Sequence, residues 1–273
     1  MKKILILLLT AAAGAVFLFS AFRLLQYFHG THAAMAAAAQ LKQAALVTEN
    51  AGETAEAVAA ADHAAQTHAP RTTEDTADNA ISLSPFKLDF QMLQQSCPAI
   101  IGWLYCEDTP IDYPIVSSRD NRDYLRRLPD GTYSCSGSLF TDCENSRDFT
   151  DPVTVIYGHN MQDDSMLGTL PNYLSQEYYD AHPQLWLLTP DRTFEVQVLA
   201  GIRTSAGSEL YDLPRTEQAV CDYIANLTAR SVFQSSYPTQ YAAGDHYLLL
   251  STCDYSFSGA RFVLLCRLAG HRA

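Results

Sequence analysis

The stretch Leu185-Trp186-Leu187-Leu188-Thr189-Pro190-Asp191-Arg192-Thr193-Phe194-Glu195-Val196-Gln197-Val198 decides the fold class. At its centre, Thr189-Pro190-Asp191-Arg192 is turn chemistry: proline presets φ, and aspartate bonds the backbone just after it. Beyond the turn, Phe194, Val196 and Val198 alternate with polar neighbours, the period-two pattern of a half-buried strand. Before it lies a short apolar run. The pair reads as a β-hairpin.

Working outward, similar short runs separated by turn signals fall at 100–105, 111–116, 137–140, 154–157, 185–189, 193–203, 247–252 and 261–268. Eight short strands with few helices predict an all-β barrel or sandwich. One clear helix interrupts them: Thr216 caps it, and Val220, Tyr223, Ile224 and Leu227 fall on one face. A shorter helix is expected over residues 173–179. Asp89 caps another, carrying Phe90 and Leu93 and ended by Pro98.

Upstream of this domain the composition is different. Residues 4–22 form an uncharged apolar run, preceded by Lys2 and Lys3 and followed by Arg23. A helix needs about 20 apolar residues to cross a bilayer, whereas a signal-peptide core has about 7–15. The run is therefore expected to be an uncleaved anchor, with its amino terminus in the cytoplasm under the positive-inside rule. Residues 1–23 then form the cytoplasmic tip and transmembrane anchor, and residues 24–83 an alanine-rich stalk and linker. Residues 84–273 form an extracellular domain of a single-pass cell-membrane protein. Within the linker, residues 33–48 suit a helical stalk and residues 52–80 a flexible tether.

The chain carries 30 acidic and 18 basic residues, for a formal charge of −12. Nothing supplies the clustered Lys and Arg that nucleic-acid binding needs, so that class is excluded. Seven cysteines occur without a Cys-x-x-Cys pair, and no His cluster has zinc-ligand spacing; no metal and no cofactor are expected. The odd count leaves at least one thiol unpaired within the chain.

Cys253 ends the run at 247–252, and Arg261 opens the next across a polar loop. If the two runs pair as a hairpin, thiol and guanidinium face each other at about 5 Å. Arg261 can then donate to an oxyanion and favour the reactive thiolate. Read alone, Cys253 is as well explained as a small buried hydrophobe. Cys221 and Cys266 look structural. For proton transfer, His159 stands out, because the strand at 154–157 runs into Gly158-His159-Asn160-Met161. A glycine there permits a sharp turn that projects the ring from the sheet edge. Spacing alone does not bring His159 beside Cys253.

Tyr157-Gly158-His159-Asn160-Met161, followed by Ser165-Met166-Leu167-Gly168 and Leu170, resembles class B sortases. So do Leu250-Ser251-Thr252-Cys253 with Arg261, Gly102-Trp103-Leu104, Ile111-Asp112-Tyr113-Pro114, Asp120-Asn121 with Tyr124-Leu125, and Gly137-Ser138-Leu139-Phe140. These segments keep a consistent order from about residue 88 to 268. The resemblance implies a mostly β fold: a closed eight-stranded sortase-type barrel with an amino-terminal helix and a helix before the nucleophile strand. It implies a cysteine transpeptidase with Cys253 as nucleophile, His159 as general acid/base and Arg261 as oxyanion stabiliser. Asn160, Ser251, Thr252 and Tyr255 are expected to contact the substrate. The implied partners are surface proteins bearing a carboxyl-terminal sorting signal, cleaved after Thr through a thioester, and an amine from peptidoglycan or its lipid-linked precursor. Cys106, Cys135 and Cys143 depart from the family pattern.

Two rivals stand beside this reading. An L,D-transpeptidase-like enzyme also uses His and Cys on an exported β-rich domain, but with a Ser-His-Gly-Cys context that Ser251-Thr252-Cys253-Asp254 lacks. A non-catalytic surface-anchored binding domain would make Cys253 and His159 incidental.

Overall fold

The computed structural model describes residues 2–47 and 85–272. The tether expected over residues 52–80 lies outside them. Eight strands form a closed barrel: β1 (Ile100–Tyr105), β2 (Asp112–Ser117), β3 (Leu139–Thr141), β4 (Val153–Tyr157), β5 (Gln184–Leu188), β6 (Arg192–Ser205), β7 (His246–Cys253) and β8 (Ala260–Arg272). Their order around the barrel is β1-β2-β3-β4-β7-β8-β6-β5, closed by the pairing of β5 with β1. The β2–β3 and β4–β7 pairs are parallel; the remaining pairs are antiparallel. Each expected run coincides with one strand to within a few residues, β8 extending furthest beyond it. The hairpin at Thr189 is closed by its N–H donating to the Arg192 carbonyl at 2.9 Å.

Alternation along the strands divides the apolar residues between two cores. Leu248, Leu250, Phe262, Leu264 and Cys266 join Trp103 and Phe140 in one cluster. Their neighbours Tyr247, Leu249, Val263 and Leu265 join a second, with Val153, Val155 and Ile202. Helix α4 (Glu217–Ala229) covers this second cluster through Val220, Ile224 and Leu227. Thr216 caps it, its hydroxyl accepting from Ala219 N–H at 3.4 Å. Helix α2 (Phe90–Ser96) is likewise capped by Asp89, whose carboxylate accepts from Met92 N–H at 3.0 Å.

The helix expected over residues 173–179 is two shorter pieces. Pro171 opens a 3-10 turn at Leu170–Leu174, and extended Ser175 separates it from α3 (Gln176–Ala181). The backbone break at Ser175 prevents the two from merging.

The amino-terminal region requires a larger correction. A membrane span over residues 1–23, and with it a single-pass cell-membrane location, was the expectation; among the described residues no helix is long and apolar enough to cross a membrane. Nor is the apolar run a separate element. Arg23 and the alanines beyond it are good helix formers, so one helix, α1 (Lys2–Ala45), continues through both anchor and stalk positions. Its end packs on the barrel: Ala45 is buried, and Lys42 Nζ meets Asp112 Oδ2 at 2.6 Å. Asp112 also accepts from the indole N–H of Trp103 at 2.7 Å, tying α1 to a fully buried side chain.

Candidate active site

Strand pairing builds the site. β7 and β8 run antiparallel with Cys253 directly opposite Arg261, the last register pair before the loop. Because side chains alternate, Cys253 and Arg261 lie on the same face as Leu249 and Val263, outside the barrel interior. β4 lies parallel to β7, with Tyr157 opposite Ser251. The chain leaving β4 therefore carries Gly158 and His159 along the edge where β7 delivers Cys253. Cys253, His159 and Arg261 line one groove of about 400 Å³, together with Tyr157, Tyr211 and Leu125. Distant stretches of sequence converge there.

Gly158 serves a different purpose from the one its sequence context suggested. Its φ is not in the left-handed region; instead, a Cβ there would fall 2.5 Å from Leu139 Cδ2 and 2.7 Å from Leu167 Cγ. Close packing requires the glycine. It seats the histidine loop directly on buried leucines.

Three hydrogen bonds join this loop to β7 and the turn that follows it. Thr252 Oγ1 donates to Gly158 O at 2.8 Å, Asn160 Nδ2 to Cys253 O at 2.8 Å, and Tyr255 Oη to Asn160 O at 3.0 Å. Of the four residues expected to contact substrate, Thr252 is buried and Asn160 turns its amide onto backbone. Ser251 is buried too, its hydroxyl paired with Tyr211 Oη at 2.7 Å. Tyr255 is largely exposed.

The His159 ring is partly exposed, with Nε2 2.8 Å from the carbonyl oxygen of Leu125. A carbonyl only accepts, so Nε2 carries the proton and Nδ1 is left to exchange one. The Arg261 guanidinium donates from Nη1 to Ala260 O at 3.0 Å.

Sequence reasoning missed the far wall of the groove. Tyr157 Oη and Asn121 Nδ2 both donate to Asp142 Oδ2, at 2.9 and 2.8 Å. Burial, then the hydrogen bond to Asp142, pushes the Tyr157 phenol well above its ordinary pKa, so it stays a donor. Burial also raises Tyr211, against the opposing effects of Ser251 and the Arg261 charge. Asp120-Asn121 was noted only within the family pattern, and Tyr211 ends a 3-10 turn, Glu209–Tyr211, too short to show periodicity. Among the described residues, no three His, Cys, Asp or Glu side chains are grouped to hold a metal ion.

No protein-family model matches the chain. Its sequence is 35% identical to sortase B of Listeria monocytogenes over 166 residues, which is 59% of this chain and 65% of that protein's length. The fold is similar to a sortase B–substrate complex of Staphylococcus aureus, with a TM-score of 0.62 and 24% identity over 66% of this chain and 84% of the other. It is also similar to the crystal structure of sortase B from Bacillus anthracis in complex with AAEK1, with a TM-score of 0.60 over 67% of this chain. With 30% identity across 84% of that Bacillus chain, the protein belongs to the class B sortase family.

Proposed function

We propose that the protein is a cysteine transpeptidase that cleaves a sorting signal after Thr and transfers the acyl part to a cell-wall amine. The observation that carries this reading is the shared groove of Cys253, His159 and Arg261, with Arg261 directly opposite Cys253 in the β7–β8 register.

The chemistry follows from the atoms available. Cys253 gives its proton to His159 Nδ1, and the thiolate attacks the Thr carbonyl carbon. As the C–S bond forms, the carbonyl π electrons move onto oxygen, where the Arg261 guanidinium stabilises them. Collapse of this adduct breaks the C–N bond. His159 Nδ1 returns its proton to the departing amine, leaving a thioester on Cys253. An acceptor amine from peptidoglycan or its lipid-linked precursor then attacks the thioester carbon. Nδ1 takes the amine's proton, the C–S bond breaks, and an amide is formed. Tyr157 and Asn121, held by Asp142, offer polar groups further along the groove.

The substrate proposed is a surface protein with a carboxyl-terminal sorting signal. The test is to incubate the protein with a panel of Thr-containing sorting peptides, with and without an amine acceptor. Cleavage after Thr is expected, with product shifting from acid to amide when the amine is present. Cleavage of no peptide, or cleavage at another bond, would contradict the reading.

A further inference from the structure

Asp254 directly follows Cys253. Its backbone N–H still bonds Ala260 O at 3.0 Å, so it belongs to the end of the hairpin that presents Cys253 and Arg261. Its side chain is only 8% exposed. A carboxylate with so little water, one residue from the sulfur, would disfavour both a thiolate and an oxyanion. It would also attract the guanidinium that the chemistry needs. The hairpin therefore contains a charge that opposes its own reaction.

The structure supplies a neutralising partner from a third strand. Arg203 Nε donates to Asp254 Oδ2, and Ser256 N–H donates to Asp254 Oδ1 at 3.1 Å. β6 pairs with β8 so that Arg203 lies opposite Phe262 and Thr204 opposite Arg261. Alternation therefore sends Arg203 to the opposite face from Arg261 and draws Asp254 with it. Among the described residues Arg261 has no carboxylate partner, and its hydrogen bond goes to a neutral carbonyl. Burial works to raise the Asp254 pKa, but the Arg203 and Ser256 hydrogen bonds outweigh it and hold the carboxyl below its ordinary value.

We propose that Arg203 is a positioning residue: it neutralises Asp254 and keeps it from Arg261, leaving that guanidinium free to serve the sulfur of Cys253. The inference rests on the transpeptidase reading and assigns Arg203 no contact with substrate.

The test uses the full chain with Arg203→Gln, Asp254→Asn and the double variant. Two rates are measured. One is alkylation of Cys253 by uncharged iodoacetamide, mapped by mass spectrometry; the other is kcat/KM for sorting-peptide cleavage. Arg203→Gln is expected to slow both roughly tenfold, the scale of one unbalanced, partly desolvated charge. Asp254→Asn alone should stay within about twofold of the parent, and the double variant should recover to within about threefold. Arg203→Lys, which keeps the charge and disturbs the fold least, should also remain within about threefold. A double variant as slow as Arg203→Gln would overturn the inference, since lost packing cannot be rescued by removing a charge. Unchanged rates in Arg203→Gln would overturn it as well. If the parent alkylates at Cys253 but cleaves no peptide, the transpeptidase reading falls, while the alkylation rates still decide the role of Arg203.

Discussion

His159 Nε2 stands 2.8 Å from the Leu125 carbonyl oxygen, a contact that in the proposed reaction selects Nδ1 as the nitrogen exchanging protons. The neutral ring is held as the Nε2–H tautomer, leaving the Nδ1 lone pair for the thiol proton. Long-range ¹H–¹⁵N spectra of the neutral protein should show the Nε2–H pattern for His159. An Nδ1–H pattern would reverse the assignment of roles within the ring.

Thiol reactivity should separate the cysteines sharply. Burial pushes the Cys106 thiol up to about 11 and raises Cys266 further, and both are buried. Cys143 is exposed, but desolvation and then the adjacent Asp142 and Glu144 charges raise it too. With limiting iodoacetamide near neutral pH, Cys253 should label first, more slowly in His159→Ala, while Cys106 and Cys266 stay unmodified in the native protein. Equal labelling of Cys143 and Cys253 would contradict a specially activated thiol.

Gly158→Ala should damage the site through packing. The added methyl meets Leu139 and Leu167, both fully buried, at 2.5–2.8 Å. Overpacking of this kind costs about 1–3 kcal/mol, and relief by moving the loop would displace His159. Thermal melts should show the loss of stability, and kcat should fall more than KM rises. A variant with parental kcat would mean that the loop tolerates the shift.

Much of the fold was legible because strands announce themselves locally. The alternation at Phe194, Val196 and Val198 and the turn at Thr189 needed no tertiary information, and Asp89 and Thr216 cap as their chemistry requires. Cys253 and Arg261 were also legible as a facing pair, since hairpin register is a local property. The contact between His159 and Leu125, and the Asp142 contacts with Tyr157 and Asn121, were not. They join loops far apart in sequence, and no periodicity encodes such meetings. The apolar run at 4–22 misled for a related reason: composition gives length and apolarity, but not where a helix ends or what its far end packs against.

Acid should weaken the β3–β4 connection. Asp151 is raised by burial but lowered more by the Ser146 hydroxyl and N–H, both at 2.6 Å, with Asn145 and Arg215 adding to the effect. Its folded-state value lies below the unfolded one. It therefore contributes stability fully above the ordinary carboxylate value of about 4, and that contribution is lost as pH falls through the folded-state value. Asp151→Asn should cost about 1–2 kcal/mol near neutral pH, the scale of weakened charge-assisted hydrogen bonds. Denaturant titrations should show the gap to the parent closing on acidification. A gap constant with pH would contradict the ionic origin.

In the proposed reaction the sulfur of Cys253 takes the acyl group. The direct measurement is the intact mass of the protein after brief exposure to an intact sorting peptide, without an acceptor amine, followed by acid quenching and mapping of the adduct. One acyl group, ending in Thr, is expected on Cys253, released as amide when an amine is added before quenching. Cys253→Ala should carry no adduct, and His159→Ala and Arg261→Ala should accumulate it far more slowly, by factors on the order of a hundred or more. Peptide turnover that persists in Cys253→Ala, or an adduct mapped to another residue, would contradict that role for Cys253.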